Sequence, residues 1–403
     1  MDFRKILLLT GIASAVFLFT MCFHGQISAD PRGQAYAGSG ECVRCHGSVS
    51  GSYEHTAHFL STRVADEFSV KGNFSNDSNA IFVNDSTKIV MEKKDSGLFQ
   101  VLYKNNKPIS AHRFDLVMGA VKGQTYLYLQ NDSFFELPVS YFAALNRWTS
   151  SPGYDFAHLT FKRPVVKECF ECHSSFADVG KSQVNESSIK KNWILNIDCE
   201  RCHGPAAAHV QFHDKHPEEK QSAFLVSFKT LTRSQKIDLC AVCHSGTKHI
   251  LLRSTFGFKM GDSLASYMIP LSTGDQLDVH GNQSQLLSQS KCFRMSNIDC
   301  STCHNIHVNE RELLQNFNYT CQKCHAPGQH FCGMANDSNF VFIKDNCTNC
   351  HMPAQASRAI VVQSANNALA IPNMVVNHRI AIYPEVTAKI MKTNVHDRSI
   401  QNP

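Results

Sequence analysis

The longest apolar run of the chain lies at its N-terminus. It extends from Ile6 to Phe23, follows the positive residues Arg4 and Lys5, and precedes the small residues of Ile27-Ser28-Ala29. A positive region, an apolar region and a small-residue cleavage site in this order are typical of a secretory signal. We therefore expect residues 1–29 to be a signal peptide and the mature protein to be exported, most simply to a periplasm.

Two alternatives to cleavage stay open at this terminus. The apolar run is just long enough to be retained as a membrane anchor. Cys22 would suit a lipoprotein, although Phe19-Thr20-Met21 lacks the small residue expected beside a lipidated cysteine. No later run is apolar and long enough to span a bilayer, so we expect any membrane association to come through an uncleaved N-terminus.

The region after the first fifth of the chain has the pattern of β-strands. The strand-like segments 97–103 and 126–130 are each followed by a turn, Asn105-Asn106 and Asn131-Asp132 respectively. Short apolar segments joined by such turns predict hairpins. We expect residues 62–160 to form a small β-rich insert.

The rest of the chain lacks long periodic runs. Short apolar stretches alternate with loops rich in Asn, Ser and Gly, which predicts short helices separated by loops. Such a segment is poorly suited to bury a conventional core, so we expect another source of apolar mass to hold it together.

The cysteine and histidine content indicates what supplies this apolar mass. The chain has 17 Cys and 21 His among 403 residues. Cys-x-x-Cys-His occurs seven times and uses 14 of the cysteines: Cys42/Cys45/His46, Cys169/Cys172/His173, Cys199/Cys202/His203, Cys240/Cys243/His244, Cys300/Cys303/His304, Cys321/Cys324/His325 and Cys347/Cys350/His351. We number these motifs first to seventh in chain order.

The spacing within each motif is that of covalent haem attachment. Two thiols three residues apart reach the two vinyl groups on one edge of a haem, and the following His binds the iron as proximal ligand. Zinc ribbons, redox dithiols and disulfide scaffolds also use Cys-x-x-Cys, but they do not require His next. A His follows by chance about once in twenty, so seven of seven is on the order of one in a billion. The sequence predicts seven covalently attached haem c groups and their iron.

The motifs divide the chain unevenly. We expect a first haem segment over 30–61, the β-rich insert over 62–160, a six-haem cytochrome c domain over 161–389 and a tail over 390–403, after the signal peptide of 1–29. The fold expected is a mostly α-helical or irregular multihaem cytochrome c fold organised around stacked haems, with the small β-rich insert.

Two cysteines of the mature chain lie outside the motifs. Cys292 and Cys332 bracket the fifth and sixth motifs. In an oxidising compartment we favour a disulfide between them, and free buried thiols are the alternative.

Thirteen histidines are available as second, distal ligands of the haem irons, once the seven proximal ones and His24 of the signal are set aside from the 21. They are His55, His58, His112, His158, His209, His213, His216, His249, His280, His307, His330, His378 and His396. This number would allow every iron to be held by two histidines.

Several segments resemble exported multihaem cytochromes c related to the tetrahaem electron acceptor of hydroxylamine oxidoreductase. They are Gly38-Ser39-Gly40, Glu54 to His58, Cys199 to Pro205 with His209, Cys300 to His307, and Cys347 to Pro353. The resemblance covers most of the chain after Ala29 and is vague in the insert.

The resemblance implies particular distal ligands, since in such proteins a His downstream of one motif often ligates a different haem. It implies His58 (or His55), His209 and His307, and family-like contexts add His280 and His378. The remaining haems would draw on His112, His158, His213, His249 or His330. Met260 and Met334 are possible thioether ligands but more typical of core packing. His216 and His396 are expected at the surface.

Two functions follow from different ligand states. Haems with two histidine ligands bind no substrate and carry electrons. An oxidoreductase of the nitrite, hydroxylamine or tetrathionate type needs one open haem, which some of these enzymes mark by Cys-x-x-Cys-Lys, and this sequence has no such motif. The second motif is the hardest to supply with a distal ligand, and His158, Tyr154 and Arg163 near it are candidate proton donors. We favour the electron carrier and assign no catalytic residue.

The charge of the polypeptide says little about its partners. The formal net charge is +5, but each haem adds two propionates and one ring charge when ferric. A mild, dispersed excess gives no case for nucleic-acid binding. The partners expected are redox proteins: a quinol-linked donor and a periplasmic reductase or another cytochrome.

Overall fold

The computed structural model describes residues 30–178, 192–271, 277–312, 314–325, 332, 343, 345–364 and 369–401, with side chains only to 392 in the last range. The expected signal peptide, His330, Met334 and the side chain of His396 lie outside the described residues. Within the described ranges no helix is long and apolar enough to cross a lipid bilayer.

Strands follow one another closely between the first and second motifs. They are β1 (Thr62–Val64), β2 (Ala80–Asn84), β3 (Thr87–Lys94), β4 (Gly97–Lys104), β5 (Lys107–Arg113), β6 (Leu116–Met118), β7 (Gly123–Gln130), β8 (Ser133–Glu136), β9 (Val139–Phe142), β10 (Arg147–Ser150) and β11 (Arg163–Pro164). β2 to β5 form an antiparallel four-stranded meander. A second, seven-stranded sheet has the order β1-β6-β7-β8-β11, with β9 paired to β7 and β10.

Both predicted hairpins are confirmed. β4 pairs with β5 across Asn105 and Asn106, whose φ angles are 51° and 59°. β7 pairs with β8 across Asn131 and Asp132, at 48° and 60°. Two successive left-handed residues match the twist of the flanking strands, and Asn and Asp adopt that conformation at low cost.

The two sheets share one apolar core. Ile89 and Met91 of the meander and Tyr126 of the second sheet are fully buried, in the same cluster as Trp148. The indole lies so close to Gly72 that a Cβ there would come within 1.9 Å of it. Close packing of this kind shows that the β region has a conventional hydrophobic core.

Short helices carry most of the haem motifs, as predicted. The helices are α1 (Ser39–Tyr53), α2 (Lys167–His173), α3 (Cys199–His203), α4 (Ala207–Lys215), α5 (Arg233–His244), α6 (Gln283–Ser288), α7 (Lys291–Met295), α8 (Leu314–Gln322), α9 (Cys347–His351) and α10 (Pro384–Gln401). The fifth motif instead begins in a single 3₁₀ turn, Cys300–Thr302.

The expectation of a mostly helical or irregular chain is not confirmed, because strands also occur among the motifs. β12 (His249–Leu251) pairs with β13 (Met268–Pro270), and β14 (Ala354–Gln363) pairs with β15 (Ala370–Val376). The β14–β15 hairpin reaches back to the insert, where the Gln363 amide donates to Ser150 Oγ at 2.8 Å. β12 and β13 are three residues each and are joined by a long connection, which gives no hairpin signal. Between β14 and β15 the sequence does contain Asn366-Asn367, a turn signal of the same kind as Asn105-Asn106, so this hairpin could have been predicted.

Part of the motif region also has a core of its own, contrary to expectation. Ala241 and Val242, the two residues between the cysteines of the fourth motif, are buried with Phe258, Leu264 and Met268. The division into a separate insert and a six-haem domain stays a prediction.

Candidate haem sites

Neighbouring motifs touch through their thiols. Four pairs of cysteines from different motifs lie close enough for each thiol to act on the pKa of the other, and the pairs are Cys42 with Cys199, Cys172 with Cys243, Cys240 with Cys300, and Cys321 with Cys347. The partner thiol lowers the pKa of Cys199, Cys243 and Cys347 to about 7 in each case, despite burial. The first motif therefore lies beside the third, the fourth beside both the second and the fifth, and the sixth beside the seventh.

Longer-range contacts connect these groups. Cys202 of the third motif interacts electrostatically with Cys243 of the fourth. Cys321 of the sixth motif interacts in the same way with Cys303 of the fifth. The motifs thus form one continuous series, first, third, fourth, fifth, sixth and seventh, with the second beside the fourth.

The first motif lies at the surface, and the histidines of most other motifs, His173, His203, His244, His304 and His325, are exposed as well. Cys45 and His46 are both exposed, and helix α1 is interrupted at His46, whose φ and ψ of −108° and 35° are not helical. The apolar neighbours Val43 and Val49 are 42% and 43% exposed. The polypeptide alone therefore does not enclose this motif, and the assignment of Cys45 and His46 to a haem stays a prediction. Exposed valines within the motif and just after it fit a site that a haem would cover.

The sixth motif is also open to solvent. Cys324 and His325 are exposed at the end of the described range 314–325, whereas Cys321 is partly buried against Cys347 of the seventh motif. His325 lies in electrostatic range of the same Cys347 thiol. The structure thus places His325 beside a neighbouring haem motif but does not bury it, and its role as an iron ligand stays a prediction.

Three motif histidines face histidines from elsewhere in the chain. The ring centroids of His203 and His307 are 5.9 Å apart, those of His244 and His58 6.1 Å, and those of His304 and His378 6.2 Å. These separations lie at the wide end of the range of aromatic ring contacts.

The same separations suit a shared iron. A metal lies about 2 Å from a coordinating imidazole nitrogen, so two imidazoles on opposite sides of one metal have centroids roughly 6.2 Å apart. The rings can be parallel or crossed, because each can rotate about its bond to the metal. His58, His307 and His378 therefore fit as distal partners of the fourth, third and fifth motifs, and the residues present fit haem iron held between two histidines.

His58 rather than His55 is the residue placed for this role. His55 is exposed, whereas His58 is half-buried and faces His244. Desolvation first, and then the nearby His244, lower the pKa of His58 to about 4. A neutral imidazole is the form that binds iron.

Hydrogen bonds orient several of the rings. The Nδ1 atoms of His304, His351 and His209 lie 2.8 Å from Glu310 Oε2, the Ala381 carbonyl and the Ala223 carbonyl respectively. Donation from Nδ1 leaves Nε2 as the metal-binding nitrogen and fixes the direction of the ring.

His280 is a candidate for the second motif. Desolvation by the surrounding protein lowers the pKa of His173 to about 4, and His280 is its first electrostatic neighbour. The loop that carries His280 is held at the end of α5, because the Gly246 amide donates to the Gly281 carbonyl at 2.6 Å. A Cβ on Gly246 would come within 2.2 Å of Asn282 Oδ1. Gly246 and Gly281 adopt left-handed conformations, with φ of 94° and 81°, which make this close approach possible.

Helix α4 lies beside the first motif. Arg44 of that motif pairs with Asp214 of α4 at 2.8 Å. On α4 the rings of His209 and His213 are 4.5 Å apart, and the buried Nε2 of His213 has no hydrogen-bond partner. The predicted ligand His209 and its neighbour His213 are thus both near the first motif.

The remaining candidate ligands occupy different settings. His112 stacks on Phe161 with centroids 4.2 Å apart, inside the β region. His158 is 87% exposed and pairs with Asp155. His249 has a buried Nδ1 without a hydrogen-bond partner, and His216 pairs loosely with Glu218 at the surface. Met260 is buried, as expected of a methionine that packs in a core.

The disulfide expected between Cys292 and Cys332 is not formed, since both are free thiols. Cys292 lies in electrostatic range of Cys324, and Cys332 in range of Cys350. Each thiol is therefore placed near a different haem motif.

A buried ion cluster under the third motif was not predicted. Arg32 lies between Asp30, Asp198 and Glu200, at 2.9, 2.8 and 2.9 Å, and its side chain is 4% exposed. Although burial acts in the opposite direction, Asp30 and Asp198 raise the pKa of Arg32 above its usual value. Two acidic residues were the sequence signal for this cluster. Asp198 directly precedes the third motif, and Glu200 lies between its two cysteines.

Known proteins share parts of this arrangement. The family described as cytochrome c554 and c-prime matches residues 152–204, which contain the second and third motifs. The multiheme cytochrome MtrA of Shewanella baltica (strain OS185) is 24% identical over 204 residues, 49% of this chain and 55% of that protein, so the chain spans about half the length of this curated relative. The crystal structure of the outer cell wall cytochrome OcwA is similar over 88% of this chain and 82% of that one, with a TM-score of 0.52 and 16% identity, which is a likeness of fold. The seven motifs and these likenesses agree on a multihaem c-type cytochrome.

Proposed function

We propose that this chain is an exported heptahaem cytochrome that transfers electrons between redox proteins. When bound, haem c accepts and donates single electrons. The observation that carries the proposal is the set of three histidine pairs, because an iron held by two histidines has no free position for a substrate. The chain's residues attach, orient and enclose the haems.

The contacts between motifs support transfer within the protein. The thiols that would hold neighbouring haems lie close to one another, so the haem edges attached to them would lie side by side. A continuous series of motifs from the first to the seventh gives electrons one route across the molecule.

The exposed motifs support exchange with partners. Cys45 of the first motif, Cys303 of the fifth and Cys324 of the sixth are the exposed motif cysteines, so the haem edges attached there would be accessible to another redox protein. The donor would be a quinol-linked or other redox protein and the acceptor a periplasmic reductase or cytochrome. The proposal includes a family relation between this chain and the tetrahaem electron acceptor of hydroxylamine oxidoreductase.

Spectroscopy of the oxidised holoprotein tests this function. We expect seven haems per chain, low-spin signals from histidine-ligated iron, and no spectral shift when nitrite, cyanide or carbon monoxide is added. A high-spin fraction near one haem in seven that binds these molecules would instead favour an oxidoreductase with one open haem.

A further inference from the structure

A largely buried carboxylate lies beside the second motif, outside the histidine and cysteine sites. Glu136 is the last residue of β8, and its side chain is 15% exposed. Two residues earlier in the same strand, the ring of Phe134 packs on Phe170 of the second motif, with centroids 5.8 Å apart. The strand that carries Glu136 therefore lies directly against the helix that carries Cys169 and Cys172.

The charge of Glu136 acts on the thiol of Cys169, which would bind the haem. Burial and the carboxylate together raise the pKa of Cys169, burial being the larger cause. Cys169 is the attachment point for one edge of the second haem. A charge on Glu136 would therefore interact with a charge on that haem, and the interaction acts in both directions.

The groups that face Glu136 leave its charge only partly compensated. Arg163 of β11 is paired with it at 3.2 Å, but this guanidinium is 42% exposed and also donates to the Pro152 carbonyl at 2.8 Å. The Tyr154 hydroxyl donates to the Glu136 backbone carbonyl, not to the carboxylate. Cys169 faces the carboxylate from α2.

Two further titratable groups interact with Glu136 only indirectly. Glu168 of α2 acts on the Cys169 thiol from the motif helix itself. Tyr128 of β7 acts on Tyr154, and therefore reaches Glu136 only through that ring. Neither group supplies a positive charge, so Arg163 is the cation that opposes the charge of Glu136.

We propose that Glu136 is a redox-linked proton acceptor, which takes up one proton from solvent when the second haem accepts an electron. The step balances: the electron comes from the redox donor, the iron goes from ferric to ferrous, and the proton comes from water through the exposed side of the Arg163 pair. The inference rests on the proposed function, since it requires a haem at Cys169 and Cys172.

The acidity of Glu136 suits this exchange. Burial raises its pKa to about 7, against the opposing effect of Arg163. The positive charge of a ferric haem ring lowers the pKa of a nearby carboxyl, and loss of that charge on reduction raises it again. Proton uptake should therefore be largest near pH 7 and just below, and should vanish where the carboxyl is already protonated in the oxidised protein.

Proton uptake on reduction tests the proposal directly. The fully oxidised holoprotein is reduced in weakly buffered solution, and the protons taken up per molecule are measured with a pH indicator for the wild type and for Glu136→Gln. We expect a difference of up to about one proton near neutral pH and none in acid well below the pKa of Glu136. Haem propionates contribute equally to both proteins and cancel in the difference.

A matched control and a second readout keep the test specific. Glu168→Gln removes an exposed carboxylate from the motif helix itself and should leave proton uptake unchanged. In potentiometric titrations of the wild type, one of the reduction steps should shift by up to about 59 mV per pH unit, the equivalent of a tenfold change, and Glu136→Gln should remove that slope. Arg163→Gln should move the slope to higher pH, because it removes the cation that lowers the pKa of Glu136.

The outcomes separate this inference from the proposed function. Equal proton uptake and equal slopes in wild type and Glu136→Gln, with seven haems in both, would overturn the inference and leave electron transfer standing. A holoprotein that lacks a haem at Cys169 and Cys172 would overturn both.

Discussion

The imidazole rings of His58 and His244 lie 6.1 Å apart, centroid to centroid, with their planes at 84°. The two residues come from the loop after the first motif and from the fourth motif itself. An iron between them would connect the first haem segment to the middle of the chain. This arrangement is the kind of link between different haems that the resemblance to exported multihaem cytochromes c implies.

Replacement of His58 by Ala should open one haem. We expect one haem in seven to become high-spin in the oxidised protein and to bind cyanide, because the fourth motif would lose its second ligand. His55→Ala is the matched control, since His55 is exposed and three residues away, and it should leave the spectrum unchanged. Equal effects of the two substitutions would refute the assignment of His58.

Replacement of His378 by Met should raise one midpoint potential. A Met/His pair holds iron at a higher potential than two histidines, because the thioether favours the ferrous state. We expect one of the seven reduction steps to move upward in a potentiometric titration and the other six to stay in place. His216→Met, at a histidine that pairs loosely at the surface, is the control. A variant that titrates like the wild type would show that His378 does not bind iron.

Replacement of Gly246 by Ala should disturb the second haem. A Cβ at this position would meet Asn282 Oδ1 at 2.2 Å and would be strained at a φ of 94°, so the loop that carries His280 must shift. We expect a lower melting temperature and a high-spin fraction near one in seven. At Gly257 a Cβ would meet nothing within 4 Å, so Gly257→Ala should change neither quantity. If both variants keep a wild-type spectrum, His280 is not held by this contact.

Removal of Arg32 should destabilise the third motif. Arg32→Gln would leave three carboxylates buried together without their cation, and breaking a buried pair typically costs about 3–5 kcal/mol. We expect a clear drop in the melting temperature of the holoprotein. Arg44→Gln breaks an exposed pair with Asp214 and should have little effect. Similar melting temperatures for the two variants would mean that the buried cluster contributes no more than a surface ion pair.

The stability of the protein should fall as the pH rises through the pKa of Glu136. That pKa is about 7 in the folded protein, above the 4.5 of a free carboxyl. The folded state therefore binds more protons than the unfolded state between these values, and the contribution is fully present below pH 4.5 and lost above about pH 7. Glu136→Gln should flatten this part of the curve of melting temperature against pH. A curve identical to the wild type would place the carboxyl in a less buried setting.

The features best predicted from the sequence are those set by short-range chemistry. The turns at Asn105-Asn106 and Asn131-Asp132 and the Cys-x-x-Cys-His motifs depend on residues adjacent in the chain, so they could be recognised directly. The sequence also identifies His58, His307 and His378 as candidates but not their partners, because each pair joins residues far apart in the chain.

The surroundings of each motif could not be predicted in the same way. The seven motifs are alike in sequence, so nothing in them separates the exposed Cys45, Cys303 and Cys324 from the partly buried cysteines of the motifs. That difference depends on which parts of the chain pack against each motif after folding.

The features that were missed also depend on long-range packing. The short strands β12 and β13 lie far apart in the chain, and Arg32 meets Asp198 and Glu200 only after the chain has folded. The β14–β15 hairpin is an exception, because Asn366-Asn367 between its strands marked it in the sequence. The disulfide between Cys292 and Cys332 was inferred from compartment and number alone, and the fold places each thiol near another motif. Glu136 gave no signal in the sequence, because its burial depends on how β8 packs in the folded chain.

Location of the iron atoms in crystals of the holoprotein, from anomalous scattering at the iron edge, tests the central claim most directly. We expect seven iron positions, with three of them midway between the rings of His58 and His244, His203 and His307, and His304 and His378. Fewer than seven positions, or an iron at one of these motifs with its distal side turned away from the paired histidine, would contradict the heptahaem electron carrier proposed here.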